Sequence, residues 1–353
     1  MDLLLSFAKC ALLVKRYKIS RSFKKSDLKK ISPFFWVIFL CLLLTAPFLS
    51  DPVKFPDSES PIVFYSNQLN SNLKGLFCSA MKGANHSLYV DTYSLSDEDV
   101  IDLLKEKADQ VETHLSYDSH ATPPLPKANW ELDVHKTSGL MHRKILVVDK
   151  KRTYLGSANL TSASLRLHEN LCVGFYSSEL SEFFAKKTAP FASFLIHDQK
   201  IDAYLMPEDK KRALHDLIQQ IDLAKKRIFI SIFTFTHPEL LKAVISAKER
   251  GVKVDVAIDA YNAAGSSQKV ISSLEKAKVP IYSHHQWQLF HNKWAVIDDV
   301  LVTGSANWTI AGFTKNKECF IILSPLTEEQ KKFFRSIKKI IRKNSQSLFI
   351  PNG

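Results

Sequence analysis

Two short stretches of the 353-residue chain place a histidine and a lysine one residue apart against an apolar run: His142-Arg-Lys144 before Ile145-Leu-Val-Val148, and His291-Asn-Lys293 before Trp294-Ala-Val-Ile297. In extended chain, side chains two residues apart point to the same face, so each stretch offers one imidazole and one ammonium to one ligand. Each is followed by Gly-Ser-Ala-Asn, at Gly156–Asn159 and Gly304–Asn307. Glycine there allows close backbone approach, while Ser157, Asn159, Ser305 and Asn307 bring neutral hydrogen-bonding groups. Two imidazoles, two ammoniums and several donors suit a phosphate diester held where two such copies meet. A single H-x-K is no more than a strand with a polar edge; two complete copies are another matter.

The copies are one duplication. Met141-His-Arg-Lys-Ile-Leu-Val-Val-Asp149, six residues, then Gly156-Ser-Ala-Asn-Leu-Thr161 is matched by His291-Asn-Lys-Trp-Ala-Val-Ile-Asp298, five residues, then Gly304-Ser-Ala-Asn-Trp-Thr309. The histidines are 291 − 142 = 149 positions apart, and such self-similarity marks repeated structural units. Ser87 to Thr92 and Arg227 to Phe235 alternate like strands, each followed by a capping signal, Ser96 with Asp99 and Thr236 with Glu239, that opens an amphipathic helix. Ala213, Leu214, Leu217, Ile218 and Ile221 predict a helix ahead of the second of these strands. Leu240 to Arg250 predicts one after it, stopped by Gly251, and Val252 to Ile258 a further strand. Pro123, Pro124 and Pro126 stiffen a loop over 119–129. Strands alternating with helices predict two similar α/β halves, each a mostly parallel or mixed sheet flanked by helices, at 60–196 and 200–345 with a boundary near 196–200.

These motifs resemble the signature of the phospholipase D superfamily, H-x-K-x(4)-D-x(6)-G-S-x-N, over roughly residues 60 to 345. The second half, Arg227 through Thr309, looks most like the mitochondrial cardiolipin hydrolases and small bacterial endonucleases of that superfamily. Its one mismatch is the five-residue spacer after Asp298, read as a tighter turn. The resemblance implies two α/β halves packed as a pseudo-twofold pair with one active site between them, so both halves come from one chain and no dimer is required. It implies that one histidine attacks phosphorus to form a phosphohistidine, with His142 as this nucleophile, while His291 protonates the leaving alcohol and then activates water. Lys144, Lys293, Asn159 and Asn307 would hold the non-bridging oxygens, with Ser157 and Ser305 beside them. Glu169 and Glu318, ten and eleven residues after the asparagines, match carboxylates that orient the imidazoles. A carboxylate raises the pKa of its histidine and the lysines lower it, which allows one neutral and one protonated imidazole near neutral pH. Asp149 and Asp298 read as structural. The family chemistry needs no metal or cofactor, and the spacing of His284, His285 and His291 fits no standard metal site.

Length leaves one or two domains open, and 45% apolar residues describe a folded protein. The net charge of +12 suggests a polyanionic partner until it is located. Residues 1–50 carry nine Lys and Arg against Asp2 and Asp27, which is +7, leaving 12 − 7 = +5 for the body. Residues 1–32 form this basic segment and lead into an uncharged run, Phe34 to Leu49, within a predicted transmembrane anchor at 33–50. Its sixteen residues span roughly 24 Å against a ~30 Å hydrocarbon core. The positive flank predicts a cytoplasmic N-terminus and an extracytoplasmic body. A cleaved signal peptide is the alternative, although no small-residue cleavage site comes after the run. Cys78, Cys172 and Cys319 of the body are an odd number, read as free thiols.

Three weaker signals remain. Trp287, Phe290 and Trp308 flank the second motif either as a rim for acyl chains or bases or as core. Thr327 to Lys343 is a basic amphipathic helix opened by a Thr-x-x-Gln cap, which either packs on the second sheet or meets anionic lipid or nucleic acid. Asn85-His-Ser, Asn159-Leu-Thr and Asn307-Trp-Thr are glycosylation sequons, two of them within the expected site, which disfavours a glycosylating compartment. The residues leave three functions open: a membrane-anchored phosphodiesterase that cleaves or transfers phospholipid head groups, an anchored endonuclease with the same chemistry, and an inactive scaffold that binds phosphorylated ligands. A phospholipid membrane is the expected partner, with nucleic acid the alternative.

Overall fold

The computed structural model describes residues 53–284 and 288–349. The basic segment and the anchor expected at 1–50 lie outside them, as do His285 and Trp287. Among the described residues no helix is long and apolar enough to cross a membrane.

The duplication is visible in sheet order. In the first half β1 (Ile62–Ser66), β2 (Ser87–Thr92), β3 (Glu112–Asp118), β4 (Glu131–His135), β5 (Ile145–Val148), β6 (Arg152–Gly156) and β7 (Leu171–Tyr176) assemble in the order β1-β7-β6-β5-β2-β3-β4. The second half adds β8 (Phe191–Ile196), β9 (Gln199–Met206), β10 (Arg227–Ile232), β11 (Lys253–Asp259), β12 (Ile281–His284), β13 (Lys293–Ile297), β14 (Val300–Gly304), β15 (Glu318–Ser324) and β16 (Ser345–Phe349). Within its nine-stranded sheet the run β9-β15-β14-β13-β10-β11-β12 repeats the first order, with β8 and β16 added at the edges. Both sheets are mixed: β2 with β3, β3 with β4, β10 with β11 and β11 with β12 run parallel, and the other pairs are antiparallel. The change of sheet falls ahead of the expected 196–200 boundary, because β8 already pairs with β9.

Period-2 alternation on the motif strands explains the layering. Ile145 and Val147 of β5, with Trp294 and Val296 of β13, face a core shared by the two sheets. Their neighbours Leu146 and Val148 face the helices of the first half, and Ala295 and Ile297 those of the second. Both faces of each strand are covered, so the strands read as continuous apolar runs. Each fully buried side chain of this kind contributes roughly 1.5–3 kcal/mol. The result is four layers, helix, sheet, sheet, helix, with the motif strands central in each sheet.

The capping signals sit one residue from where they were expected. The helices are Glu98–Ala108, capped by Asp97 through Val100 N–H, and Pro238–Glu249, preceded by His237 without a side-chain cap. In both halves the chain before the helix is instead held by the segment after Gly-Ser-Ala-Asn: Ser96 and Asp97 N–H donate to Leu160 O, and Thr236 and His237 N–H donate to Trp308 O. The C-terminal helix, Glu328–Asn344, has the full Thr327 and Gln330 capping box. Its Phe334, Ile337 and Ile341 enter the shared core, and Phe64 of β1 packs 5.2 Å from the Phe334 ring and 5.5 Å from that of Phe333. It therefore closes the cleft between the sheets rather than covering the second sheet alone. Cys78, Cys172 and Cys319 are free.

Candidate active site

His142 and His291 each stand just before a central strand, β5 and β13, at the same edge of the shared core. Backbone bonds cross between the halves there: His142 N–H donates to Lys317 O, Lys317 N–H to Leu140 O, and Glu169 N–H to Leu289 O. The two motifs are thereby locked against one another. His142, Lys144, His291 and Lys293 are all buried.

Glycine sets the second layer of the site. A Cβ at Gly156 would lie 2.1 Å from Leu171 O, and one at Gly304 2.3 Å from Cys319 O, so only glycine lets β6 and β14 come this close to their neighbours. The serines after them are then drawn inward. Ser157 Oγ donates to Asn170 Oδ1 at 2.8 Å, and Ser305 Oγ donates to Glu318 Oε2. Ser157 and Ser305, expected beside the phosphate-holding groups, are thus committed to the residues that orient the imidazoles.

Those orienting residues differ between the halves. His142 Nδ1 meets Glu318 at 2.9 and 2.8 Å, a carboxylate from the other half. His291 Nδ1 meets Asn170 Oδ1 at 3.1 Å, again across the interface, but this acceptor is a neutral amide. Glu169, expected to orient an imidazole, accepts from Gln68 Nε2 and lies 3.1 Å from His284 Nε2. The reason is register. Glu318 follows Asn307 by eleven residues, and eleven after Asn159 is Asn170, so Glu169 points to the opposite side of the chain entering β7. The amide at 170 has its own partners, because its Nδ2 donates to Ser164 O at 2.9 Å and His168 O at 3.3 Å, bonds an acid could not make.

Lys144 Nζ donates to His142 O at 2.8 Å and Lys293 Nζ to His291 O at 3.2 Å, which folds both ammoniums back into the site. Asn159 and Asn307 each carry a buried Oδ1 with no hydrogen-bond partner. The fold leaves these two carboxamide oxygens unsatisfied. Asp149 and Asp298 stand elsewhere. Each carboxylate takes three backbone N–H groups at the entry to β2 or β10, from Asn85, His86 and Ser87 or from Lys225, Lys226 and Arg227. The turn beside Asp298 holds two residues and that beside Asp149 three, which accounts for the shorter spacer.

Burial dominates the electrostatics. It pushes His142 down to about 4; Glu318 opposes, and Lys144 adds to the shift. Burial followed by Lys293, Lys144 and His142 holds His291 well below its ordinary value. Both shifts favour the neutral imidazole. Burial also pushes Lys144 down to about 8 against the pull of Glu318, and burial with Lys144 lowers Lys293 strongly.

Several neighbours escaped the sequence. The Tyr93 ring meets His142 edge-on at 5.2 Å, and Phe233 meets His291 at 5.1 Å. Lys144 and Lys293 sit over the same two rings. These residues are 233 − 93 = 140 positions apart, the offset already seen for Ser96 and Thr236, so the repeat could have revealed them. His168, 6.3 Å from the His291 ring, had no such signal. Phe290 and Trp308 are core residues, not rim. Among the described residues no cluster of His, Cys, Asp and Glu could hold a metal ion.

Known proteins share parts of this sequence and its fold. A mitochondrial cardiolipin hydrolase of Xenopus laevis is 37% identical over 112 residues, 31% of this chain and 52% of the relative. A phospholipase D of Rickettsia typhi is 28% identical over 143 residues, 37% of this chain and 70% of the relative. The chain spans about half the length of the cardiolipin hydrolases it matches. The phosphatidylserine synthase of Haemophilus influenzae shares the fold, with a TM-score of 0.67 at 12% identity over 84% of this chain and 89% of that one. The family described as cardiolipin synthase, PLD-like domain, matches twice, at residues 77–191 and 217–341, once for each half. With both halves matched and both motifs meeting in one site, the chain belongs to the phospholipase D-like family of cardiolipin synthase domains.

Proposed function

We propose that this chain is a phospholipase D-type phosphodiesterase that cleaves, or transfers, the head groups of phospholipids through a phosphohistidine on His142. The observation that carries the reading is the unequal support of the imidazoles, a carboxylate on His142 and an amide on His291. Attack by His142 Nε2 on phosphorus forms an N–P bond and leaves positive charge on the ring for the life of the intermediate. Glu318, accepting from Nδ1–H, offsets that charge. His291 has the opposite task. It gives a proton from Nε2 to the oxygen of the departing alcohol as the P–O bond breaks, and an imidazolium facing only an amide is the stronger acid. Neutral His291 then takes a proton from water, or from an acceptor alcohol, whose oxygen attacks phosphorus and breaks the N–P bond. Diester and water yield monoester and alcohol.

Lys144, Lys293 and the carboxamides of Asn159 and Asn307 hold the non-bridging oxygens. A bound diester anion offsets the two ammoniums and lifts the suppressed pKa of His291 toward the range where it carries a proton. No step calls on a metal or a cofactor.

A lipid substrate is favoured by the surroundings of the site. Three exposed large apolar side chains, Leu140, Leu167 and Ile310, lie in segments that adjoin site residues: Leu140 precedes the first motif, Leu167 adjoins His168, and Ile310 comes directly after the second Gly-Ser-Ala-Asn-x-Thr. The predicted anchor at 33–50 would raise the effective concentration of membrane lipid. The test is turnover on phosphatidylcholine and cardiolipin vesicles, on single-stranded DNA and on RNA across a salt series. Lipid turnover is expected. Turnover of nucleic acid alone, with a steep salt slope, would transfer the same chemistry to a nuclease, and no turnover of any diester would leave the scaffold reading.

A further inference from the structure

The C-terminal helix Glu328–Asn344 closes the cleft between the sheets with its apolar side, but its outer side does more than face solvent. Where it passes the first residues of β10 and β11 it walls a groove of about 340 Å³. Arg227, Lys253, Arg335, Lys338, Lys339 and Arg342 line this groove, and Asp255, already bonded to Arg342 at 2.8 Å, is its one acidic lining residue. Phe229 forms an aromatic floor, with Lys338 Nζ 5.2 Å and the Arg342 guanidinium 5.7 Å from its ring centre. Asp298 lies in an adjoining hollow, where its carboxylate is taken up by three backbone N–H groups. Six cations therefore line a concave, partly apolar groove that holds one carboxylate, with Arg335 also 3.9 Å from Glu328 at the rim. Burial, then Arg227 and Arg342, push Lys338 down to about 8, with Asp255 opposing.

We propose that this groove is a second anion site, separate from the catalytic centre, that holds a compact anion carrying at least two phosphate groups. Three features support it. First, six cations lining one small cavity match an anion of high charge packed into a small volume. Second, the arginines supply forked donors and the lysines point charges, the mixture suited to phosphate oxygens spread over more than one phosphorus. Third, the groove opens at the start of β10, whereas the end of that strand, Ile232, pairs with Lys293. Five steps of strand put the two sites about 17 Å apart along β10, too far for one phosphodiester to touch both.

The diphosphate chemistry could come from a free compound or from a lipid head group bearing two phosphates, and the assignment does not rest on the catalytic reading. The experiment is calorimetric titration of the full chain with inorganic pyrophosphate, comparing wild type, the double variant Lys253→Gln/Lys338→Gln and the catalytic variant Lys293→Gln. Thermal unfolding of each variant shows that it is folded. Pyrophosphate should bind wild type and Lys293→Gln alike at the groove, at least tenfold more tightly than orthophosphate, and at least tenfold more weakly in the double variant. Phosphatidylcholine vesicles carrying a bisphosphorylated inositol lipid form the second arm. Co-sedimentation that needs Lys253 and Lys338 would assign the ligand to a head group, and pyrophosphate binding without it to a free compound; either supports the site. Pyrophosphate binding that disappears in Lys293→Gln, or that in the Lys293→Gln background survives the added Lys253→Gln/Lys338→Gln changes, overturns it. So would displacement of pyrophosphate by a single-stranded oligonucleotide at lower concentration than by tripolyphosphate, since the groove would then belong to a polymer.

Discussion

His142 and Glu318 are 176 residues apart in sequence, yet the imidazole Nδ1 lies 2.8 and 2.9 Å from the two carboxylate oxygens. Neither half alone supplies both the imidazole and its charge partner. Replacing Glu318 with Gln keeps the shape but removes the charge, and should lower kcat by about 10²–10⁴-fold. Rapid-quench labelling should show slower phosphoenzyme formation with little change in KM. An unaltered kcat would mean that the carboxylate does not support the nucleophile.

The acid limb of the rate depends on the same pair. His142 attacks only when neutral, and its pKa of about 4 makes it neutral above that value. On the acid side, kcat/KM should therefore fall below about pH 4, where His142 takes up a proton. In Glu318→Gln the histidine loses the group that raises its pKa, so the limb should move to still lower pH. A limb near 6.5 in wild type would show that burial does not govern this histidine.

Asn170→Asp tests the other side. An acid at 170 would raise the pKa of His291 and move the alkaline limb of the rate upward. It would also face Ser164 O and His168 O, which the amide now serves as donor. A stability loss of about 1–3 kcal/mol should accompany the shift. Loss of stability with an unmoved pH profile would reduce Asn170 to a structural role.

Lys144 gives a stability prediction with the opposite sign from most core changes. Its folded pKa, about 8, is below the ordinary 10.5, so between these values the unfolded chain binds more protons and stability climbs as pH rises. At neutral pH the buried ammonium is a standing cost. Lys144→Met should abolish turnover yet raise Tm by a few degrees, with the gain shrinking as pH approaches 10. A lower Tm would place the hydrogen bond to His142 O above the cost of burial.

Asp149 and Asp298 should behave as supports. Asp298→Ala leaves the N–H groups of Lys225, Lys226 and Arg227 without their acceptor and should cost about 1–3 kcal/mol in urea unfolding, with kcat per folded molecule preserved. In Asp149 burial works against ionisation, but backbone donors hold the carboxyl below its usual value, so its support fades only at acidic pH.

Much of this was legible in the residues. The H-x-K pairs and the Gly-Ser-Ala-Asn segments located the site because period-2 strands and close-packed glycines impose fixed directions on the side chains next to them. The capping box at Thr327 and the repeated strands were equally direct, since they depend on local geometry. What failed was long-range. Chemical type points to Glu169, whereas counting eleven residues in both copies leads to Asn170, and which imidazole Glu318 serves depends on how two sheets pack, a relation no local spacing encodes. Ser96 and Thr236 lost their capping role because backbone donors found Leu160 O and Trp308 O across the fold. Phe290 and Trp308 stay open between rim and core in the sequence because aromatics near a motif carry the same letters whether they face ligand or core; burial places them in the core.

The crosswise pairing has a further consequence when symmetry is considered. If two identical chains met at a twofold axis, each would bring the same side chain to its partner's histidine, and the two imidazoles would be chemically degenerate until substrate chose between them. Joining the halves in tandem lifts that constraint: position 170 is free to differ from position 318. With one carboxylate and one amide, the two imidazoles are already unequal before any ligand arrives, and on the proposed mechanism that inequality would divide attack from proton delivery.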